Sequence, residues 1–256
     1  MSMDVKGYIF DYGGTLDTAG CHWGKMLWHA YERQHLPVTE EQFRDVYVQV
    51  EKLLGRGRNI TQEYTFYKTL DTKINLELEC FQKQGYINEG NFSLAHLQTA
   101  VLEDLYQEVQ ETTKKSVAVL KEIKKSHPMV LVSNFYGNIN VVLKEFGFDG
   151  LFDHVIESAT VGIRKPDPRI FQLGVEALKM EPRMVAVVGD SIRNDIIPAA
   201  ELGCQTIWLK GEGWTAATDG SPIKHGLIVC DHRRQTPVHD DECAGRIIMS
   251  LDELLQ

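Results

Sequence analysis

The sequence predicts an α/β protein: a doubly wound parallel sheet interrupted after its first strand by an all-helical insertion. Three observations predict it. Short apolar runs recur at Gly7–Asp11, Met129–Ser133, Met184–Asp190 and Thr206–Leu209, each bounded by turn or polar residues. Continuous apolar runs of this length suit strands covered on both faces. Helical stretches at Asn138–Phe146, Pro168–Lys179 and Asn194–Leu202 alternate with the later runs, as parallel strands joined by crossovers require. Between residues 18 and 113, finally, the pattern is helical throughout and no strand stands out.

Within that insertion, Trp23, Leu27 and Tyr31 recur at four-residue spacing. Thr39 and Gln42 have the spacing of a capping box, after which Phe43, Val46, Tyr47, Val50 and Leu54 mark an apolar face that Gly55 ends. Leu94, Leu97, Val101 and Leu105 mark another stripe. Such stripes pack on each other, so the insertion reads as a separate lobe, 18–113, on a discontinuous core of 1–17 and 114–256. The stretch Gly211–Gly245 is poorly periodic and reads as a functional loop or an extra hairpin.

Composition narrows the function. A chain of 256 residues, 43% hydrophobic and 25% charged, is neither disordered nor a membrane protein, and no apolar run approaches the ~18–20 residues of a membrane span. The net charge of −9 disfavours a nucleic-acid partner. The N-terminus lacks a basic segment followed by an apolar one, and the five cysteines (21, 80, 204, 230, 243) are scattered without a CxxC pair. Together these argue for a cytoplasmic, reducing location and against a disulfide framework or a structural zinc site.

In an open parallel sheet, ligands sit beyond the carboxyl ends of the strands. The first strand ends in Asp11, followed by Tyr12-Gly13-Gly14-Thr15-Leu16-Asp17, and the second in Ser133-Asn134. Lys165 precedes a helix in Lys165-Pro166-Asp167-Pro168, and the third run ends in Gly189-Asp190-Ser191 with Asp195 close behind. Three acids near one point repel unless a cation or the lysine neutralises them, and an all-oxygen donor set suits Mg²⁺.

Those residues, in that order and spacing, resemble the haloacid dehalogenase-like hydrolases, in the branch with a helical cap inserted after the first strand of a Rossmann-like core. The resemblance covers roughly residues 5–17 and 115–210. It implies a Mg²⁺-dependent hydrolase of a small phosphorylated molecule, with Asp11 as the nucleophile that becomes an aspartyl phosphate. Lys165 would stabilise charge on Asp11 and the phosphoryl group, and Ser133 would hold the transferring oxygens, beside Asn134, Gly13 and Thr15. Asp190, a carboxylate oxygen of Asp11 and the backbone carbonyl of Gly13 would ligate Mg²⁺, with Asp195 supporting them or ligating in turn.

One position departs from the family's pattern. Its hydrolases carry a second Asp two residues after the nucleophile, which protonates the leaving oxygen; here that residue is Gly13. Losing a positioned general acid costs ~10²–10⁴ in rate. Asp17, read mainly as a local cap, and His22 are the replacements near at hand. The alternatives are a weakly catalytic or non-catalytic phospho-ligand binder, and a phosphonate-cleaving enzyme that uses a cap lysine, with Lys25, Lys52 and Lys68 as candidates. Dehalogenation fits less well, because relatives that perform it carry a bulky residue at the Gly13 position.

Arg56, Arg58 and Trp214 are placed to touch substrate or simply to pack. The run Gly211-x-Gly213-x-x-Ala216 mimics a dinucleotide fingerprint without the helix that would follow one. His239–Cys243 reads as a solvated acidic loop, because adjacent residues splay instead of converging on a metal.

Overall fold

The computed structural model describes residues 4–55, 59–88, 93–213 and 243–256. Among these residues six strands, all parallel, form one sheet: β1 (Gly7–Phe10), β2 (Met129–Ser133), β3 (His154–Glu157), β4 (Val185–Gly189), β5 (Gln205–Leu209) and β6 (Arg246–Ile248), in the order β3-β2-β1-β4-β5-β6. The strand order reverses direction at β1, so the carboxyl ends of β1, β2 and β4 meet at a switch point.

Alternation along β1 divides the core. Tyr8 and Phe10 join a large apolar cluster on one face, while Ile9 packs on the other with Val130, Val132, Ile170, Phe171 and Val175. Helix α7 (Arg169–Leu178) covers that second face. The short helices α5 (Ile139–Glu145), α6 (Ser158–Val161) and α8 (Ile197–Glu201) complete the crossovers, the last preceded by a π-helical turn at Ile192–Ile196.

Among the described residues, four helices lie between β1 and β2: α1 (Trp23–Arg33), α2 (Glu40–Leu54), α3 (Phe66–Lys83) and α4 (Leu94–Lys124). Among the described residues between them there is no strand. The Thr39–Gln42 capping box forms in both directions, and Gly55 caps α2. Phe43, Val46, Val50 and Leu54 are buried, but Tyr47, expected among them, is only half-buried and lines a cavity described below. Helix α4 buries Leu97, Val101, Leu105 and Val109 at four-residue spacing and runs unbroken to Lys124. The expected boundary at 113/114 therefore falls inside a continuous helix, which Ser116 ties to the core through the Leu16 carbonyl (2.7 Å).

Two strands escape the sequence reading, β3 and β6. Arg56, Arg58, Trp214 and His239–Glu242 lie outside the described residues, as does most of the 211–245 stretch. Cys21, Cys80 and Cys204 are free thiols, but Cys243 is disulfide-bonded, although the scattered cysteines argue against a disulfide framework. No helix among the described residues is long and apolar enough to cross a membrane.

Candidate active site

The carboxyl ends of β1, β2 and β4 present Asp11, Ser133 and Asp190 to a common cavity of about 170 Å³, which Gly13, Gly14, His22, Trp23, Tyr47, Asn134, Lys165 and Asp195 also line. The backbone N–H of Asp11 still bonds the Val188 carbonyl (3.0 Å), so the sheet itself fixes where this carboxylate emerges. Lys165, buried at the other side, donates to Asp11 Oδ1 (2.6 Å) and to Asp195 Oδ1 (2.7 Å). One oxygen each of Asp11, Asp190 and Asp195 lies within 4.8 Å of the others.

Neighbouring residues hold these groups in place. Asn134 grips the Lys165 backbone from both sides, donating to its carbonyl (3.1 Å) and accepting from its N–H (2.9 Å). The Thr15 hydroxyl accepts from the Asp190 N–H (3.0 Å) and stands 3.0 Å from Asp190 Oδ1 and 3.3 Å from Asp11 Oδ2. Thr15 is fully buried and faces these two carboxylates; it is absent from the cavity wall, where phosphate contact was expected of it. Asp195 Oδ2 accepts from the Ser191 N–H (3.1 Å).

Glycine is required at two of these turns. Gly14 adopts φ +98°, and a Cβ there would stand 2.4 Å from Asp190 Oδ1. At Gly189 a Cβ would lie 2.5 Å from Asp195 Cβ. At Gly13, by contrast, a Cβ would meet only the Trp23 indole at an ordinary 3.8 Å, so a side chain has room to start there.

Electrostatics explain what the cluster requires. Burial raises the Asp11 carboxyl to about 6 in spite of the opposing pull of Lys165. Burial, and then the charges of Asp195 and Asp11, push Asp190 well above the ordinary carboxylate range. Burial pulls Lys165 down, but Asp11 and Asp195 outweigh it and its ammonium is favoured. Three carboxyl groups face one ammonium, two more acids than bases, in a buried site. A divalent cation with oxygen ligands matches both that deficit and the donor set.

The two expected substitutes for an acid at position 13 are differently placed. Asp17 is fully buried, accepting from the Gly14 N–H (2.7 Å) and from Trp23 Nε1 (2.9 Å), and burial raises it to about 7. It braces the loop between β1 and α1, as a local cap does. His22 caps α1 by accepting from the Gly24 N–H at Nδ1 (3.0 Å), which leaves its proton on Nε2. Burial, aided by the nearby charge of Lys73, lowers it to about 4, so it is neutral at pH 7.

A second cavity of about 140 Å³ adjoins the first, sharing Gly13, Trp23, Tyr47 and Asn134 as walls. Glu51, Phe66, Thr69, Leu70, Lys73, Phe135 and Tyr136 complete it. Lys73 pairs with Glu51 at 2.5 Å and lies 4.5 Å from the Tyr47 ring centroid. Tyr136, in the loop after β2, donates to the Glu51 carboxylate (3.1 Å). Sequence reading missed this group. Lys25, Lys52 and Lys68, the lysines it singled out, line neither cavity. Lys25 and Lys68 instead face Glu40 and Asp71.

Comparison with known proteins agrees with this geometry. A profile of the haloacid dehalogenase-like hydrolases matches residues 5–203. The mouse haloacid dehalogenase-like hydrolase domain-containing protein 3 is 30% identical over 146 residues, 54% of this chain and 58% of that protein. A glyceraldehyde 3-phosphate phosphatase of Pyrococcus furiosus is 37% identical over 62 residues, 24% of this chain and 26% of that enzyme. The matches thus span from about a quarter to just over half of these curated relatives. Among solved structures, a dehalogenase with an intermediate complex superposes with a TM-score of 0.59 at 16% identity, covering 99% of this chain and 97% of that one. A likeness at that identity speaks for the fold alone. With a profile that spans the first strand, the inserted helices and the acidic edge of the sheet, the chain belongs to the haloacid dehalogenase-like hydrolases.

Proposed function

We propose that the protein is a Mg²⁺-dependent phosphatase-type hydrolase that transfers the phosphoryl group of a small phosphorylated molecule to Asp11. One observation carries this reading: Asp11 emerges from β1 into a cavity with its carboxylate held by Lys165, beside two further buried carboxylates. A structural ion pair needs one acid per base. The excess acid here is explained by a metal, and the phosphatases among the relatives fit the same reading.

Each residue then has a task. Asp11 attacks phosphorus; Lys165 balances charge on Asp11 and on the phosphoryl oxygens. Ser133, at the end of β2, binds those oxygens. Asn134 positions Lys165 through its backbone, and Thr15 aligns Asp11 with Asp190. Asp195 anchors the Lys165 ammonium. Asp11, Asp190 and the Gly13 carbonyl would hold Mg²⁺, with Asp195 beside them. A bound Mg²⁺ supplies charge neutralisation between carboxylate and phosphoryl oxygens, which otherwise repel. Residues 18–113 act as a cap that excludes water from the site, docked by the Tyr136–Glu51 contact and by Glu212, whose carbonyl accepts from the His22 N–H (2.9 Å).

Acetyl phosphate and p-nitrophenyl phosphate test this directly. Wild-type turnover is expected to require Mg²⁺ and to stop with EDTA. Asp11→Asn is expected to lower it by ~10⁴-fold or more, since the nucleophile itself is lost. Equal rates in wild type and Asp11→Asn would leave a phospho-ligand binder instead.

A further inference from the structure

When a phosphoryl group leaves an alcohol for Asp11, the departing oxygen is an alkoxide, and alkoxides leave slowly without a proton. Around the catalytic cavity, Lys165, Asp195, Asp17 and His22 are already committed. Lys165 is shared by two carboxylates, and Asp195 accepts from both Lys165 and the Ser191 N–H. Asp17 is sealed behind Gly14 and Trp23, and Gly13 has no side chain. His22 is neutral, with Nδ1 accepting from Gly24.

Across Gly13, in the adjoining cavity, stands an ammonium. Lys73 is only 6% exposed, yet its side chain forms part of the cavity wall. Of its three N–H groups Glu51 takes one, and the Tyr47 ring flanks the nitrogen. Glu51 is itself gripped by Tyr136, two residues beyond Asn134. The nitrogen is therefore fixed relative to the sheet edge as well as to α2 and α3. Such a group has a proton to give.

Building on the phosphatase reading above, we propose that Lys73 is the general acid of this enzyme, donating its Nζ proton to the leaving-group oxygen of an alkyl phosphate monoester. In the first step the Asp11 Oδ–P bond forms and the P–O bond to the alcohol breaks. The Nζ proton goes to that oxygen, releasing a neutral alcohol and leaving a neutral amine. In the second, water attacks phosphorus and the Asp11 Oδ–P bond breaks. The amine takes the water proton, so inorganic phosphate leaves and the ammonium is restored. No outside reactant is needed.

The test is a series of monoesters, from p-nitrophenyl phosphate to glycerol phosphate, read as kcat/KM, which reports the steps through loss of the leaving group. Lys73→Met is expected to lose ~10²-fold or more on glycerol phosphate but no more than about 3-fold on p-nitrophenyl phosphate, whose leaving group needs little protonation. Lys73→Arg keeps the charge but holds its proton far more tightly, and is expected to lose glycerol phosphate turnover in the same way. An even loss across the series in Lys73→Met, or full glycerol phosphate activity in Lys73→Arg, overturns the proposal. If Lys73→Met does not fold by thermal melting, the arginine variant decides. Absence of Mg²⁺-dependent turnover in wild type, or its survival in Asp11→Asn, overturns the phosphatase reading and this inference with it.

Discussion

Two buried groups of charges meet at Gly13, and they are built on different principles. On the sheet side, Asp11 and Asp195 share one ammonium with Asp190 beside them, so the site holds more acids than its own residues balance. On the helical side, Lys73 and Glu51 form a closed pair, with Glu77 one turn along α3 from Lys73. Burial raises Glu77 to about 7, partly offset by Lys73 and by the Tyr31 hydroxyl, which donates to its Oε2 (2.9 Å). The first cluster is short of cation and suits a metal. The second is complete in itself and suits proton transfer. A buried ion cluster left unbalanced is expensive, so the sheet-side imbalance makes sense as part of a site and not as a device for stability.

The sharpest way to break this contrast is Lys165→Met. It leaves Asp11 and Asp195 buried with no cation between them, which is expected to destabilise the EDTA-treated protein by about 3–5 kcal/mol at pH 8. The sign of the pH dependence follows from raised carboxyl pKa values. Such groups favour the folded state most below their unfolded pKa, and that contribution fades as pH rises through the folded value, already about 6 for Asp11 with Lys165 present. Urea unfolding at pH 5 should therefore show a smaller penalty than at pH 8. A loss within about 0.5 kcal/mol at both, as for an ordinary surface lysine, would mean the cluster is not interdependent.

The two clusters also differ in how visible they are in the sequence. Asp11, Ser133 and Asp190 each follow a continuous apolar run, and a parallel sheet sends all such ends to one edge; Lys165 was found by its Lys-Pro-Asp-Pro context. The helical cluster has no such frame. Glu51 on α2, and Lys73 with Glu77 four residues on along α3, read as charges on wet helix faces, and Tyr47 reads only as one more residue of an apolar stripe. Only the packing of α2 on α3, with Tyr136 reaching over from the core, brings them together. Similarly, β3 was hidden because His154 and Glu157 bracket two apolar residues, and β6 because Arg246 precedes only two. Short edge strands with polar ends carry too little periodicity to register.

A milder probe of the helical side is Glu77→Gln. Glu77 Oε1 is buried without a partner, as suits a protonated acid, and an amide is nearly isosteric with that form. With its pKa raised from 4.5 to about 7, the glutamate favours folding below pH 4.5 and loses that contribution as pH climbs through 7. Glu77→Gln is thus expected to stabilise the protein by about 1–3 kcal/mol at pH 8 and by less than about 1 kcal/mol at pH 5. Destabilisation at pH 8 would show that the glutamate charge is needed by Lys73, joining it to the ion pair.

The smallest expected effect comes from an exposed contact of similar composition. His29 on α1 faces Glu32 (2.9 Å) and Glu212 (3.1 Å), which lies beyond β5, so it bridges the helical insertion and the sheet edge. The Glu32 hydrogen bond raises its pKa above 6.5, against a small opposing effect of burial. Its stabilising contribution is full below pH 6.5 and fades as pH rises through the raised value. The His29 side chain is 37% and that of Glu212 53% exposed, so water screens the pair heavily. His29→Gln is therefore expected to cost only a few tenths of a kcal/mol at pH 5.5 and nothing at pH 8.5, with 1 M NaCl erasing the difference. A penalty near that of Lys165→Met would mean that burial is not what separates these clusters. The balance of charge across the seam between insertion and sheet would then matter more than the dryness of either site.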